Sequence, residues 1–164
     1  MKKILVVEDD KFLSGAYRIK LVKLGFEVQL ASDGDEALSH LQTFTPDLIL
    51  LDLIMPGKDG FSTLIGLKSD QRWKNIPVIV ASNLGQKEDI DKSMALGASD
   101  FIVKSDTSLE QVATKINKLL QIPQATQTPQ TGQSPQSPQN SQTLQNPQTP
   151  QNLPQTPRKE ENVR

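Results

Sequence analysis

Five short apolar runs, each followed by a segment with helical apolar spacing, constrain this chain more than any other feature. The runs lie at 4–7, 28–31, 48–51, 78–81 and 101–103, and all but the second are free of polar residues. An uninterrupted apolar run of that length is what a strand buried on both faces requires. After the first run, Leu13, Tyr17, Leu21 and Leu24 recur at helical spacing, and Gly25 supplies a stop. Ala37, Leu38 and Leu41 mark a second helix, and Phe61, Leu64, Ile65 and Leu67 the apolar side of a third. Ile90, Met94 and Leu96 mark a fourth, stopped by Gly97, and Leu109, Val112, Ile116, Leu119 and Leu120 a fifth. Strict alternation of strand and helix predicts a parallel sheet with right-handed crossovers and helices on both faces.

The polar residues that end these runs are as informative as the runs. Glu8-Asp9-Asp10 follows the first, Asp52 the third, Ser82-Asn83 the fourth and Lys104 the fifth. The expected fold is α/β, a doubly wound (βα)5 parallel sheet of order 2-1-3-4-5, flavodoxin-like. There strands one and three flank the point where the winding reverses and a ligand crevice opens. Glu8, Asp9 and Asp52 would then meet at one strand edge, which charge repulsion disfavours without a cation. Hard oxygen donors in an incomplete shell suit Mg²⁺ with retained waters better than zinc. Beside such a metal an ionised Asp52 could attack a phosphoryl group to form an acyl phosphate. Lys104 suits one phosphoryl oxygen and the Ser82 hydroxyl another.

Each element also has a plain explanation. Asp10 ahead of Lys11-Phe12-Leu13 reads as a helix N-cap, and Glu8-Asp9 as a solvated acidic loop. Asp52 beside Leu50 and Leu51 needs a partner, which a structural hydrogen bond could supply. Lys104 and Ser82 say nothing individually; their joint placement carries the argument. His40, the only histidine, reads as a surface residue of an exposed helix.

Composition removes several function classes. The chain has 164 residues and no cysteine, which excludes disulfides and thiolate metal sites. A net charge of -1 offers no basic field for a nucleic-acid backbone, so no nucleic-acid partner is expected. The apolar run behind Met1-Lys2-Lys3 stops at Glu8, too short for a signal peptide, and no run is long enough to span a bilayer. A cytoplasmic protein without membrane insertion is the expectation. Beyond Ile122 almost every residue is Gln, Pro, Thr, Ser or Asn, and glutamine recurs at every third position from Gln121 to Gln151. Such a stretch cannot bury enough apolar surface to fold. Residues 1–121 are thus expected to form the domain, with 122–164 a disordered, low-complexity tail and no output domain.

The ordered motifs resemble those of response-regulator receiver domains of two-component signalling. They are Ile4-Leu5-Val6-Val7-Glu8-Asp9-Asp10, Asp47 through Gly60 with Asp52 at its centre, Pro77 through Ser82, and Gly97 through Lys104. The resemblance implies that Asp52 is the phosphoacceptor, served by a histidine kinase or a histidine phosphotransfer protein. It implies Mg²⁺ held by Asp9, Asp52, Glu8 through water, and the Ile54 carbonyl. Ser82 matches the switching hydroxyl, Lys104 the lysine that contacts the phosphoryl group, and Phe101 the aromatic switch. Signalling to a downstream protein target through the face of the fourth helix, fifth strand and fifth helix is implied, and a phosphorylation-dependent dimer is left open. The chemistry is self-catalysed phosphotransfer and not enzymatic turnover. An aspartyl phosphatase would want a second acid at position 54, which is isoleucine; a passive interaction module would not need Asp9, Asp52, Ser82 and Lys104 together. Three departures stand out: Ser105 replaces the usual proline, Glu8 the commoner aspartate, and Phe101 lacks a phenolic hydroxyl. Ile54 and Leu84 occupy positions that in similar proteins influence dephosphorylation, and two apolar side chains predict a long-lived phosphorylated state.

Overall fold

A computed structural model describes residues 1–57 and 59–122 of the chain. The glutamine- and proline-rich stretch expected to be a disordered tail lies outside the described residues from 123 onward. The described elements alternate as expected: β1 (Lys3–Val7), α1 (Lys11–Lys23), β2 (Glu27–Ala31), α2 (Gly34–His40), β3 (Leu48–Leu51), α3 (Gly60–Ser69), β4 (Val78–Ser82), α4 (Lys87–Ala95), β5 (Asp100–Val103) and α5 (Leu109–Leu119). All four strand pairings are parallel and the sheet order is β2-β1-β3-β4-β5. Alternation alone predicts a parallel sheet, and its order is the expected doubly wound, flavodoxin-like one.

Both faces of the sheet are covered, which is why its central strands are apolar throughout. Ile4, Val6, Leu48, Leu50, Ile79 and Ile102 face one layer, built by Tyr17 and Leu21 of α1 and Val112 and Ile116 of α5. Leu5, Val7, Ile49, Leu51, Val78 and Val80 face the other, which takes in Ala37 of α2 and Leu64 and Leu67 of α3. The alternation of consecutive residues between layers is the two-residue period of a strand. Gly25 and Gly97 follow the ends of α1 and α4 at φ 88° and 97°, a left-handed conformation that closes each helix without a Cβ clash. Gln121 plays the same part after α5 at φ 53°, and Ile122 then packs on the core.

The helical spacing overstated some inward faces. Ile65, Met94 and Leu24 are 46%, 45% and 42% exposed. In α4 the buried residue is Ser93, whose hydroxyl donates to the Asp89 carbonyl, and Leu96 lies at the helix cap instead of inside it. His40 is half-buried at the end of α2, its Nδ1 2.6 Å from Gln29 Nε2 and its Nε2 3.4 Å from a Glu36 carboxylate oxygen. It is a member of a polar cluster and not a free surface residue. Among the described residues no helix is long and apolar enough to cross a membrane.

Candidate functional site

The ladder of the sheet places the two buried acids. The Glu8 amide donates to the Ala31 carbonyl at 2.9 Å, and the Asp52 amide to the Val7 carbonyl at 2.9 Å. Strand pairing thus carries both residues to the carboxyl ends of β1 and β3, where the winding reverses. Beneath them Gly60 opens α3 in close approach: a Cβ there would lie 2.1 Å from the Asp52 carbonyl oxygen and 2.5 Å from Leu53 Cα. Only glycine fits under the acid-bearing turn.

Glu8, Asp9 and Asp52 each offer a carboxylate oxygen, and these oxygens all lie within 4.8 Å of one another. Glu8 and Asp52 are buried while Asp9 is exposed. Lys104, just past β5, reaches across the edge with its side chain 8% exposed. Its Nζ lies 2.5 Å from Asp52 Oδ2 and 2.6 Å from Glu8 Oε2. The other Asp52 oxygen, Oδ1, accepts from the Ile54 amide at 3.1 Å. An open cleft of about 250 Å³ lies over this cluster, lined also by Asp10, Leu13, Ile54 and Asn83.

The electrostatics follow from burial. Desolvation pushes the Glu8 carboxyl above its usual range, against the opposing pull of Lys104. Burial alone would lower the Lys104 ammonium, but hydrogen bonds and charge from Asp52 and Glu8 raise it overall. Tyr17, buried beneath the site in α1, has its phenol pushed up to about 12, first by burial and then by the Glu8 and Asp52 charges. Two buried carboxylates thus share one buried ammonium while Asp9 has no ion pair among the described residues.

Of the residues singled out by the sequence, Glu8, Asp9, Asp52, Ile54 and Lys104 converge on the cleft. Ser82 is fully buried at the end of β4, its hydroxyl accepting from the Leu84 amide at 3.3 Å, and it lies outside the cleft lining. Phe101 is half-buried on β5 against the α2–α3 layer. Asp10 is the N-cap of α1, accepting from Phe12 and Leu13 at 2.8 and 3.0 Å, as its plain explanation required. Ser105 sits in a 3₁₀ turn, Lys104–Asp106, and donates to Asp106 at 2.8 Å, which holds the loop in the absence of proline. Asn83 was visible only as a polar neighbour of Ser82, yet it lines the cleft. The paired contact of Lys104 with Glu8 had no local signal, because the partners are far apart in sequence.

Fold and site together define a flavodoxin-like α/β domain with an acidic, lysine-bearing site at its winding reversal. The response regulator receiver domain family matches residues 4–117. The DNA-binding dual master transcriptional regulator RpaA of Synechocystis is 36% identical over 129 residues, 76% of this chain and 53% of that protein. The gliding motility regulatory protein of Myxococcus xanthus is 37% identical over 117 residues, 71% of this chain but 15% of the relative. The chain therefore spans about half the length of RpaA, or less of other relatives. Among solved structures, the Francisella response regulator 1452 receiver domain superposes with a TM-score of 0.69 at 31% identity, covering 74% of this chain and 98% of that one. The Mn²⁺-bound form of response regulator Rcp1 does so with a TM-score of 0.64 at 30% identity, covering 73% and 94%. The chain belongs to the response regulator receiver domain family. Receiver domains bind Mg²⁺ at an acidic pocket, and Glu8, Asp9 and Asp52 form such a cluster here.

Proposed function

We propose that this chain is a phosphorelay response regulator that accepts a phosphoryl group on Asp52 from a histidine kinase or histidine phosphotransfer protein. The observation that carries this reading is the bond from the Lys104 ammonium to a buried Asp52 carboxylate within the three-acid cluster. Asp9, exposed and without an ion pair, Asp52, and Glu8 through water are suited to hold Mg²⁺, with the Ile54 carbonyl as a further donor. When bound, the cation neutralises charge on the transferring oxygens.

The chain's own groups do the rest. One Asp52 oxygen forms a bond to phosphorus as the donor's phosphorus–nitrogen bond breaks, and the electron pair leaves with the imidazole. The Ile54 amide holds the other oxygen in place. Lys104 then exchanges one of its carboxylate contacts for a phosphoryl oxygen, so the buried ammonium is never without an anion. Ser82 would turn its hydroxyl from the Leu84 amide toward the phosphoryl group. Phe101, lacking a hydroxyl, responds by packing alone, and this alters the face of α4, β5 and α5 toward a downstream protein. A local charge change thus biases a two-state surface.

The test is intact mass after incubation with acetyl phosphate, with and without Mg²⁺, for the wild type and Asp52→Ala. One Mg²⁺-dependent phosphoryl adduct absent from Asp52→Ala is expected. No adduct on the wild type would leave a passive interaction module as the better reading.

A further inference from the structure

Four of the five strands lead directly into the acidic cleft. Glu8, Asp52, Asn83 and Lys104 are the first residues past β1, β3, β4 and β5, and all four line it. Each also stands two residues after a buried member of the α1–α5 layer: Val6, Leu50, Ala81 and Ile102 respectively. The two-residue period of a strand therefore carries all four toward one face of the sheet. Ser82 has the other parity, that of Val80, which belongs to the α2–α3 layer. Its hydroxyl is fully buried and already accepts from the Leu84 amide. The residue that β4 contributes to the cleft is Asn83.

Strand register sets its height. Leu51 pairs with Val80, and Ser82 with Val103. Asn83 is thus level with Lys104 and two residues beyond the level of Asp52, about 6–7 Å along the strand direction. Lys104 spans that step with its long side chain to reach Asp52. The shorter carboxamide of Asn83 belongs to the upper level, the side toward which a phosphoryl group joined to Asp52 projects.

A phosphoryl group would bring negative oxygens into a cleft short of donors. Three carboxylates repel them, and Asp10 Oδ1 is taken by the Phe12 and Leu13 amides. Lys104 is held by Asp52 and Glu8, and Leu13 and Ile54 are apolar. Asn83 is exposed and makes no hydrogen bond among the described residues. Among those residues its carboxamide is the one side chain lining the cleft whose N–H donors are not committed elsewhere. A neutral donor also attracts an anion without adding a cation that would compete with Mg²⁺ for the carboxylates.

We infer that Asn83 is a substrate-binding residue, its carboxamide N–H donating to a phosphoryl oxygen of the incoming phosphodonor and then to that oxygen of the acyl phosphate. This rests on the reading of Asp52 as the phosphoacceptor. The bond needs only rotation of an exposed side chain, whereas the Ser82 hydroxyl has first to leave Leu84.

The experiment measures the second-order rate of labelling by acetyl phosphate, read by intact mass, for the full chain as wild type, Asn83→Ala and Asn83→Leu. Each is measured over a Mg²⁺ series that reaches saturation. Alanine removes both donor and bulk; leucine removes the donor and keeps the branched shape. At saturating Mg²⁺ both variants should label more slowly, on the order of tenfold, the loss expected for one hydrogen bond to a charged group. Circular dichroism verifies that both are folded, as expected at an exposed position. On labelling of the wild type, the side-chain amide protons of Asn83 should move downfield in a ¹⁵N-edited NMR spectrum, and unmoved protons overturn the assignment. So does either variant labelling as fast as the wild type; a faster Asn83→Ala would mean that the side chain obstructs the donor. A deficit that vanishes at saturating Mg²⁺ would give Asn83 to the metal and overturns it as well. A wild type that takes no label is a different failure, in which the acceptor reading falls and this inference with it.

Discussion

The ammonium of Lys104 lies 2.5 Å from Asp52 Oδ2, joining the end of β5 to the end of β3 across the intervening strand. The same nitrogen also holds Glu8, so one cation balances two buried anions. Removing one partner of a buried pair leaves charge uncompensated and costs about 3–5 kcal/mol. Lys104→Met should therefore lose stability of that order in Mg²⁺-free urea denaturation, and Mg²⁺ should return part of it. A variant at least as stable as the wild type without Mg²⁺ would show that the pair is not holding the carboxylates.

Asp9 carries the opposite expectation. It adds a third carboxylate within 4.8 Å of two others and has no ion pair of its own among the described residues. Asp9→Asn should stabilise the metal-free protein by about 0.5–1 kcal/mol through relief of repulsion. It should also abolish the added stability from Mg²⁺, which for the wild type at a hundredfold excess over Kd is about 2.7 kcal/mol. Thermal unfolding of both proteins across a Mg²⁺ series reads the two effects separately.

The strands were legible because burial on both faces demands runs such as Leu48-Ile49-Leu50-Leu51 with no polar interruption, whereas their order was expected only from the doubly wound fold that the receiver-domain resemblance implies. The acids were legible because each stands just where such a run ends. What local sequence cannot carry is contact between distant residues, and Lys104 to Glu8 is of that kind. Gly60 is another: in sequence it reads as turn chemistry, and its closeness to the Asp52 carbonyl exists only in the fold. The exposure of Ile65 and Met94 shows the converse limit, because helical spacing marks apolar residues without saying where the neighbouring layer ends.

Gly60→Ala follows from that contact. A methyl group 2.1 Å from the Asp52 carbonyl cannot be accommodated without moving the backbone that carries Asp52. The expected cost is about 1–3 kcal/mol, as for overpacking elsewhere in cores. Phosphorylation by acetyl phosphate should slow in the fraction that remains folded, because the acceptor oxygen is displaced. Unchanged urea midpoint and labelling rate would show that α3 can shift freely.

Ile54 is 54% exposed over the cleft, while Leu84 packs against the core. Neither side chain can hydrogen-bond a water aimed at phosphorus. The acyl phosphate should accordingly persist, and Ile54→Asn should speed its loss on the order of tenfold, a modest gain from positioning a reacting water. Decay of the labelled protein after removal of the phosphodonor gives both rates. Equal rates, or rapid decay of the wild type, would remove Ile54 from any role in phosphoryl lifetime.

Tyr17 yields the pH dependence with its sign. Its phenol is 3% exposed and is pushed from 10.0 up to about 12, chiefly by burial and then by the negative field of Glu8 and Asp52. Below pH 10 both folded and unfolded chains keep the proton, so the group contributes no slope. Between pH 10 and 12 the unfolded chain releases the proton while the folded one retains it, so stability falls as pH rises. A shift of that size corresponds to at most about 2.7 kcal/mol. Lysine titration in the same range affects the wild type and Tyr17→Phe alike, so the difference between their urea midpoints isolates the phenol. The wild type should lose stability faster than Tyr17→Phe above pH 10, and parallel curves would mean that the phenol ionises as freely in the folded protein as in the unfolded chain.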